Sequence, residues 1–153
     1  MLKICLCSDN HGNMESIRRI LSENPACDYY LHCGDSMVSP DILSPFASVL
    51  GNNDWDYDYP RSRKFEIHGH RIFMFHGTGY TYSQKLMLNK AKDEKADVVF
   101  FGHTHVFTDE TINKIRFINP GSTYHNRDMS CPCYAIVCFY DDGSISVERK
   151  DLI

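Results

Sequence analysis

Seven side chains of this 153-residue chain could hold metal ions, and they recur at one kind of place. Asp9 and His11 stand in S-D-N-H-G-N, Asp35 in H-C-G-D, Asn52 in L-G-N-N-D, His76 in F-H-G, and His103 and His105 in F-G-H-T-H. Each group directly follows a short apolar run and has a glycine beside it. Residues present only for solubility would not track the ends of apolar runs, so the joint pattern points to a metal site. Seven ligands are too many for one tetrahedral ion; two ions fit better, and one carboxylate must then bridge them. A mixture of nitrogen and oxygen donors without thiolate suits manganese, iron, cobalt, nickel or zinc better than calcium. Two ions about 3.5–4 Å apart clamp the attacking and leaving oxygens of an in-line displacement at phosphorus, which is the chemistry of phosphoester hydrolysis.

The elements that must carry these loops are legible as hydrophobic periodicity. Residues 3–7 read as a strand, followed by a helix with Met14, Ile17, Ile20 and Leu21 on one face. Residues 29–32 and 48–50 read as buried parallel strands, closed by turns at Gly34 and Gly51. Residues 63–67 and 71–75 flank His68-Gly69-His70 as a hairpin. Ser83 is the expected N-cap of a helix reaching Asp93, with Leu86, Leu88 and Ala91 as its apolar residues. Residues 98–101 form another buried strand, and strands over 114–118, 134–140 and 144–149 follow, the last two joined at Asp141-Asp142-Gly143. Strands and helices alternate early and strands cluster late, which predicts one α/β domain over residues 1–153 with mixed sheets. Strand ends at one edge of such a sheet form a ligand crevice, so the five loops are expected to converge. The one linker-like stretch is residues 54–60, D-W-D-Y-D-Y-P.

Composition narrows the classes further. With 16 Lys+Arg against 20 Asp+Glu the chain carries a net charge of −4, which gives no general footprint for nucleic acid or an anionic membrane surface. Any phosphate must therefore be bound locally. The longest apolar stretch, residues 133–140, is far shorter than the roughly 20 residues of a membrane-spanning helix. An acidic residue at Asp9 leaves too little room for a secretory signal, so the chain is expected in the cytoplasm. Seven cysteines is an odd number, and four of them sit in apolar runs; they read as reduced, buried thiols rather than as a zinc or redox site.

The ordered set S-D-N-H-G-N, G-D, G-N-N-D, H-G, G-H-T-H and I-N-P-G-S resembles the calcineurin-like metallophosphoesterase superfamily, and within it the small, minimal bacterial and archaeal phosphodiesterases. The resemblance runs from residue 3 to about 149 and implies a four-layer α/β/β/α sandwich of two mixed sheets flanked by helices, with a dinuclear site at the strand ends. It also implies a division of ligands: Asp9, His11, Asp35 and His105 on one ion, and Asp35, Asn52, His76 and His103 on the other, with Asp35 as the bridge. A hydroxide held between two divalent ions, manganese first among them, would attack a small phosphoester substrate without a protein nucleophile. Asp54 is a candidate for orienting a ligand histidine through its free ring N–H, and Asn13 for a hydrogen bond to the substrate phosphate; a turn or helix-capping role is the alternative for both.

Two positions depart from the family pattern. Asn53 stands where many members have a histidine proposed to protonate the leaving group, and a neutral amide cannot serve as that acid. Thr78 stands where the small phosphodiesterases usually have a second histidine after H-G. His32, His68, His70 and His125 fall outside the matched ligand positions and read as turn or surface histidines, while I-N-P-G-S at 118–122 reads as support for the site wall. Trp55, Tyr57 and Tyr59 form either an aromatic lip or a packed loop. Two rival functions remain: a phosphomonoesterase or nucleotide phosphatase, disfavoured because Arg61 and Arg127 are the only cations near the motifs, and a non-catalytic scaffold like the retromer subunit Vps29, disfavoured because all seven ligand positions hold competent donors. The subgroup is also compatible with a homo-oligomer.

Overall fold

The computed structural model describes residues 1–153. In chain order the elements are β1 (Leu2–Cys7), α1 (Met14–Glu23), β2 (Tyr29–His32), α2 (Pro40–Leu43), β3 (Ala47–Ser48), β4 (Ser62–Ile67), β5 (His70–Phe75), α3 (Gln84–Asp93), β6 (Val98–Phe100), β7 (Thr108–Ile112), β8 (Ile115–Asn119), β9 (Cys133–Phe139) and β10 (Ile145–Asp151). They build two five-stranded sheets, in the orders β10-β9-β1-β2-β3 and β4-β5-β6-β8-β7. Both sheets are mixed, as expected: β1, β2 and β3 run parallel while β9 and β10 are antiparallel, and β5, β6 and β8 run parallel between antiparallel edges.

The inner strands β1, β5, β6 and β9 carry apolar runs without alternation because both of their faces are covered. Ile4 and Leu6 of β1, Ile72 and Met74 of β5, Val98 and Phe100 of β6, and Ala135, Val137 and Phe139 of β9 meet in the core between the sheets. The intervening residues point outward. Cys5, Cys7, Tyr134, Ile136 and Cys138 pack with Ile17 and Ile20 of α1 and Leu43 of α2. Phe73, Phe75, Val99 and Phe101 pack with Met87 and Ala91 of α3. This is the expected four-layer α/β/β/α sandwich. All seven cysteines are free thiols, and no helix is long and apolar enough to cross a membrane.

Asn13 caps α1 by accepting the Glu15 N–H at 3.2 Å, and Ser83 caps α3 by accepting the Leu86 N–H at 3.2 Å. The apolar face of α3 is centred on Met87 and Ala91; of the residues predicted for it Ala91 is buried, while Leu86 and Leu88 are only half-buried. The parallel strand predicted at 48–50 is the two-residue β3, and the polar edge strand β7 and the single turn of α2 were absent from the pattern. His68-Gly69 is the tight turn between β4 and β5, with positive φ at both residues and Ile67 paired to His70.

Candidate metal centre

The predicted ligands come from both sheets. The loops after β1, β2 and β3 bring Asp9, His11, Asp35 and Asn52 from one sheet, and those after β5 and β6 bring His76, His103 and His105 from the other. Five of the seven, Asp9, His11, Asp35, His103 and His105, have φ between 46° and 71°, the left-handed region that non-glycine residues rarely adopt. Such backbone strain persists where surrounding structure imposes it, and at these five positions it accompanies a candidate ligand of one cleft.

Close approach also explains two of the glycines. A Cβ on Gly51 would strike the Asp35 carboxylate and backbone, and one on Gly102 would strike Ser8 Oγ and Asp9 Oδ2. Neither needs a positive φ; each is small because a ligand carboxylate packs against its Cα.

Backbone carbonyls orient two of the imidazoles. His76 Nδ1–H donates to Cys33 O at 2.7 Å, and His105 Nδ1–H donates to His125 O at 2.8 Å. With the ring proton on Nδ1, each Nε2 presents a lone pair to the cleft. His105 Nε2 then faces His11 Nε2 at 3.1 Å and Asp9 Oδ1 at 3.2 Å. His76 Nε2 faces Asn52 Oδ1 at 2.9 Å and Asp35 Oδ2 at 3.4 Å, and His103 Nδ1 lies 3.2 Å from Asn52 Oδ1. Where the Nε2 atoms of His76 and His105 are unprotonated, acceptors meet acceptors across the cleft, an arrangement that a proton or a bound cation relieves. Asp9 Oδ1 is the one buried side-chain polar atom with no hydrogen-bond partner of good geometry. The donor set of imidazole nitrogens, carboxylates and an amide oxygen therefore fits divalent ions of borderline softness.

The titration behaviour agrees. Burial opposes ionisation of Asp9, but the hydrogen bonds of His105 and His11 and the charge of His76 outweigh it and hold the carboxyl well below the usual carboxylate range. Burial likewise opposes ionisation of Asp35, and His76 and Asn53 reverse it. His11 is pushed up, chiefly by Asp9; His76 is pushed up by Asp35 and Asp9 in spite of its burial. In the metal-free protein a proton does part of what an ion would do.

Two groups of three ligand atoms each converge within 4.8 Å: Asp9, His11 and His105, and Asp9, Asp35 and His76. Asp9 is common to both groups, whereas the resemblance implies Asp35 as the bridge. Asp35 Oδ2 nevertheless lies 3.7 Å from His11 Nε2 and 3.4 Å from His76 Nε2, so both carboxylates reach both sides of the cleft.

Asp54 and Asn13 both take the alternative role the sequence allowed them, in a turn and a helix cap. Asp54 is fully buried and accepts three backbone N–H groups, from Asp35 and Gly51 at 2.8 Å and from Met37 at 2.9 Å. It orients no histidine; it ties two ligand loops together. Asn13 Oδ1 is engaged in capping α1, the alternative reading of that residue. His32 is a further correction: it is fully buried, with Nε2 on Asn10 Oδ1 at 2.9 Å and Nδ1 accepting the Gly34 N–H at 3.1 Å. Its burial lowers its pKa to about 4. His70 is also more than a surface residue, bridging Asp97 Oδ2 and Gly143 O at 2.6 Å each.

The supporting role of Asn53 carried no signal in the sequence, whereas that of the I-N-P-G-S loop did. Asn53 donates its backbone N–H to Asp35 Oδ1 at 2.8 Å and its amide to Asp35 Oδ2 at 2.9 Å. Asn119 Nδ2 donates to Gly102 O at 3.1 Å, and Ser122 Oγ–H donates to Asp9 O at 2.7 Å, so the I-N-P-G-S loop buttresses the site wall as predicted. In the aromatic loop, Trp55 is exposed while Tyr59 is buried and donates to Val38 O at 2.7 Å.

The chain belongs to the calcineurin-like phosphoesterase superfamily, whose domain model matches residues 2–142. It is 30% identical over 148 residues to the probable metallophosphoesterase YsnB of Bacillus subtilis, covering 94% of this chain and 88% of that protein. It is 27% identical over 143 residues to the phosphodiesterase MJ0936 of Methanocaldococcus jannaschii, covering 78% and 83% respectively. The solved structure of Vacuolar Protein Sorting 29 from Cryptosporidium parvum superimposes with a TM-score of 0.75 over 99% of this chain and 97% of that one, at 16% identity, and so shares its fold.

Proposed function

We propose that the protein is a metal-dependent phosphodiesterase acting on a small phosphoester, with two divalent ions held by Asp9, His11, Asp35, Asn52, His76, His103 and His105. The observation that carries this reading is the convergence of His11, His76 and His105 ring nitrogens with the Asp35 carboxylate around the unpartnered Asp9 Oδ1. When bound, such ions lower the pKa of a water and neutralise charge on the phosphoryl oxygens. Manganese is the proposed metal, and a cytoplasmic location is the proposed setting.

The chain's own part is to position. The Cys33 and His125 carbonyls fix two imidazoles, Asn53 holds Asp35, and Ser8 and the His103 N–H hold the second oxygen of Asp9. Asn53 turns its backbone N–H and one amide N–H to Asp35, and a neutral amide cannot protonate a leaving group. This favours substrates with good leaving groups.

A diester is preferred over a monoester because Arg127, beside the ligand loops, reaches only the His103 carbonyl, at 3.4 Å, and not the converging ligand atoms. A dianion would benefit from such a cation. The relative named as a phosphodiesterase is consistent with this choice. A scaffold role is disfavoured by the complete ligand set.

The test is turnover of bis(4-nitrophenyl) phosphate beside 4-nitrophenyl phosphate, with metal-stripped protein reconstituted with manganese, nickel, zinc or magnesium. Metal-dependent release from the diester exceeding that from the monoester is expected. Faster turnover of the monoester would move the reading to a phosphomonoesterase, and no turnover of either would favour a scaffold.

A further inference from the structure

A cavity of about 450 Å³ opens directly from the candidate metal centre, sharing Asn52 and His76 with it. It is lined by Phe73 and Phe75 from the outer face of β5, by Lys90 of α3, and by Tyr80, Leu50 and Arg61. Its size is that of small-molecule sites. Arg61 and Lys90 line it, and no carboxylate does, although the chain as a whole is acidic.

Lys90 is held in place and shares its carboxylate partner with a second lysine. Its Nζ stands 5.6 Å from the centroid of the Phe73 ring and 5.5 Å from that of Tyr80. Its carboxylate neighbour, Glu94, lies 3.5 Å away and is paired more closely, at 2.6 Å, with Lys64. A second anion in the cavity would meet an ammonium already ordered over two rings and an exposed guanidinium suited to fork-like recognition.

We propose that this cavity receives the ester group on one side of the substrate phosphorus, and that it selects a group with an apolar, ring-bearing body and a second negative charge, read by Arg61 and Lys90. The inference rests on the phosphodiesterase reading and deepens it. Low positive charge among the ligands and positive charge in the adjoining cavity assign different tasks: the metal centre takes the scissile phosphoryl group, and the cavity takes the distal anion.

The test compares phenyl 4-nitrophenyl phosphate with the same diester bearing a carboxylate, or a phosphate, at the para position of the phenyl ring. All three release 4-nitrophenolate, so differences report binding of the retained group. The charged esters are expected to show a kcat/KM about tenfold higher, mostly through KM, the size of one charge-assisted contact. That preference is expected to collapse in Arg61→Gln and Lys90→Gln, both substitutions at accessible positions; the larger loss for the phosphate or the carboxylate ester tells which anion the cavity prefers. Calorimetric binding of 4-carboxyphenyl phosphate against phenyl phosphate, with manganese and without it, gives a readout that needs no turnover. Equal kcat/KM for charged and uncharged esters, or a preference that survives both substitutions, would overturn the assignment while leaving the phosphodiesterase reading intact. A binding preference lost in the two variants, with no turnover of any ester, would uphold the cavity and overturn the enzyme.

Discussion

The carboxylate of Asp54 accepts the backbone N–H of Asp35 at 2.8 Å, so a fully buried acid beneath the cleft sets where a candidate ligand of the cleft stands. The same oxygen accepts the Gly51 N–H, tying the loop after β2 to the loop after β3. Asp54→Ala would strand these donors together with the Met37 N–H. At about 1–3 kcal/mol for each of the two buried donors, on Asp35 and Gly51, the variant is expected to lose at least about 2 kcal/mol in urea unfolding. Its manganese affinity should fall about 10–100-fold, as for other residues that orient ligands. Asp54→Asn, which keeps the shape and one acceptor, should lose less on both counts; unchanged stability in Asp54→Ala would contradict the anchoring role.

Gly102 makes a second test of positioning. A methyl group there would meet Ser8 Oγ and Asp9 Oδ2, so Gly102→Ala must displace a ligand carboxylate or the strand end that carries it. The variant is expected to keep the far-ultraviolet circular dichroism of the wild type and to bind manganese about 10–100-fold more weakly. Wild-type affinity measured by titration would show that the cleft tolerates the shift.

His32 should make the metal-free protein acid-sensitive. The folded protein resists a proton that the unfolded chain accepts, because burial lowers the pKa from 6.5 to about 4. The associated stability is present above about pH 6.5 and is lost as the pH falls toward 4; at about 1.4 kcal/mol per unit the loss is about 3 kcal/mol. His11, His70 and His76 are shifted the other way and stabilise the fold below their raised values. The contribution of His32 is therefore read as the difference between wild type and His32→Gln, by denaturant titration in chelator from pH 7 to pH 4. That difference is expected to shrink as the pH falls. Parallel curves would mean that His32 is protonated in the fold.

Much of this site is legible in the sequence because side-chain type and strand ends carry it. Asp9, His11, Asp35, Asn52, His76, His103 and His105 announce themselves by chemistry and by the apolar run before each, and the structure brings them to one cleft. What orients them is illegible for a physical reason: the Cys33 and His125 carbonyls that hold two imidazoles are backbone atoms, which any residue supplies. Asp54 shows the same limit from the other side. Its type suggested a partner for a histidine, but the direction of a carboxylate toward three N–H groups is a property of the folded loops. His32 looked like a turn residue because its burial depends on Asn10 and Ser48, distant in the chain. In the fold, β7 escaped notice because T-D-E-T-I is an edge strand with mostly solvent-facing side chains, and its turn at Asn113-Lys114 reaches positive φ without glycine.

Metal should also stabilise the fold, since the cleft exists only when the two sheets are assembled. At manganese 100-fold above its dissociation constant the gain is about 2.7 kcal/mol per site, seen as a rise in melting temperature. Asp9→Asn removes the carboxylate common to both ligand groups and is expected to abolish that rise. A variant that still gains the full increment would place the ions elsewhere.

The most direct test of the central claim is the rate of bis(4-nitrophenyl) phosphate hydrolysis as manganese is added back to the stripped protein, followed in parallel with bound metal per chain, for the wild type and Asp35→Asn. Activity that rises to a plateau at two ions per chain, and a variant that binds fewer ions and turns over at least about a hundredfold more slowly, a barrier increase of about 2.7 kcal/mol, is the predicted result. Full activity in Asp35→Asn, or turnover that does not depend on bound metal, would contradict it.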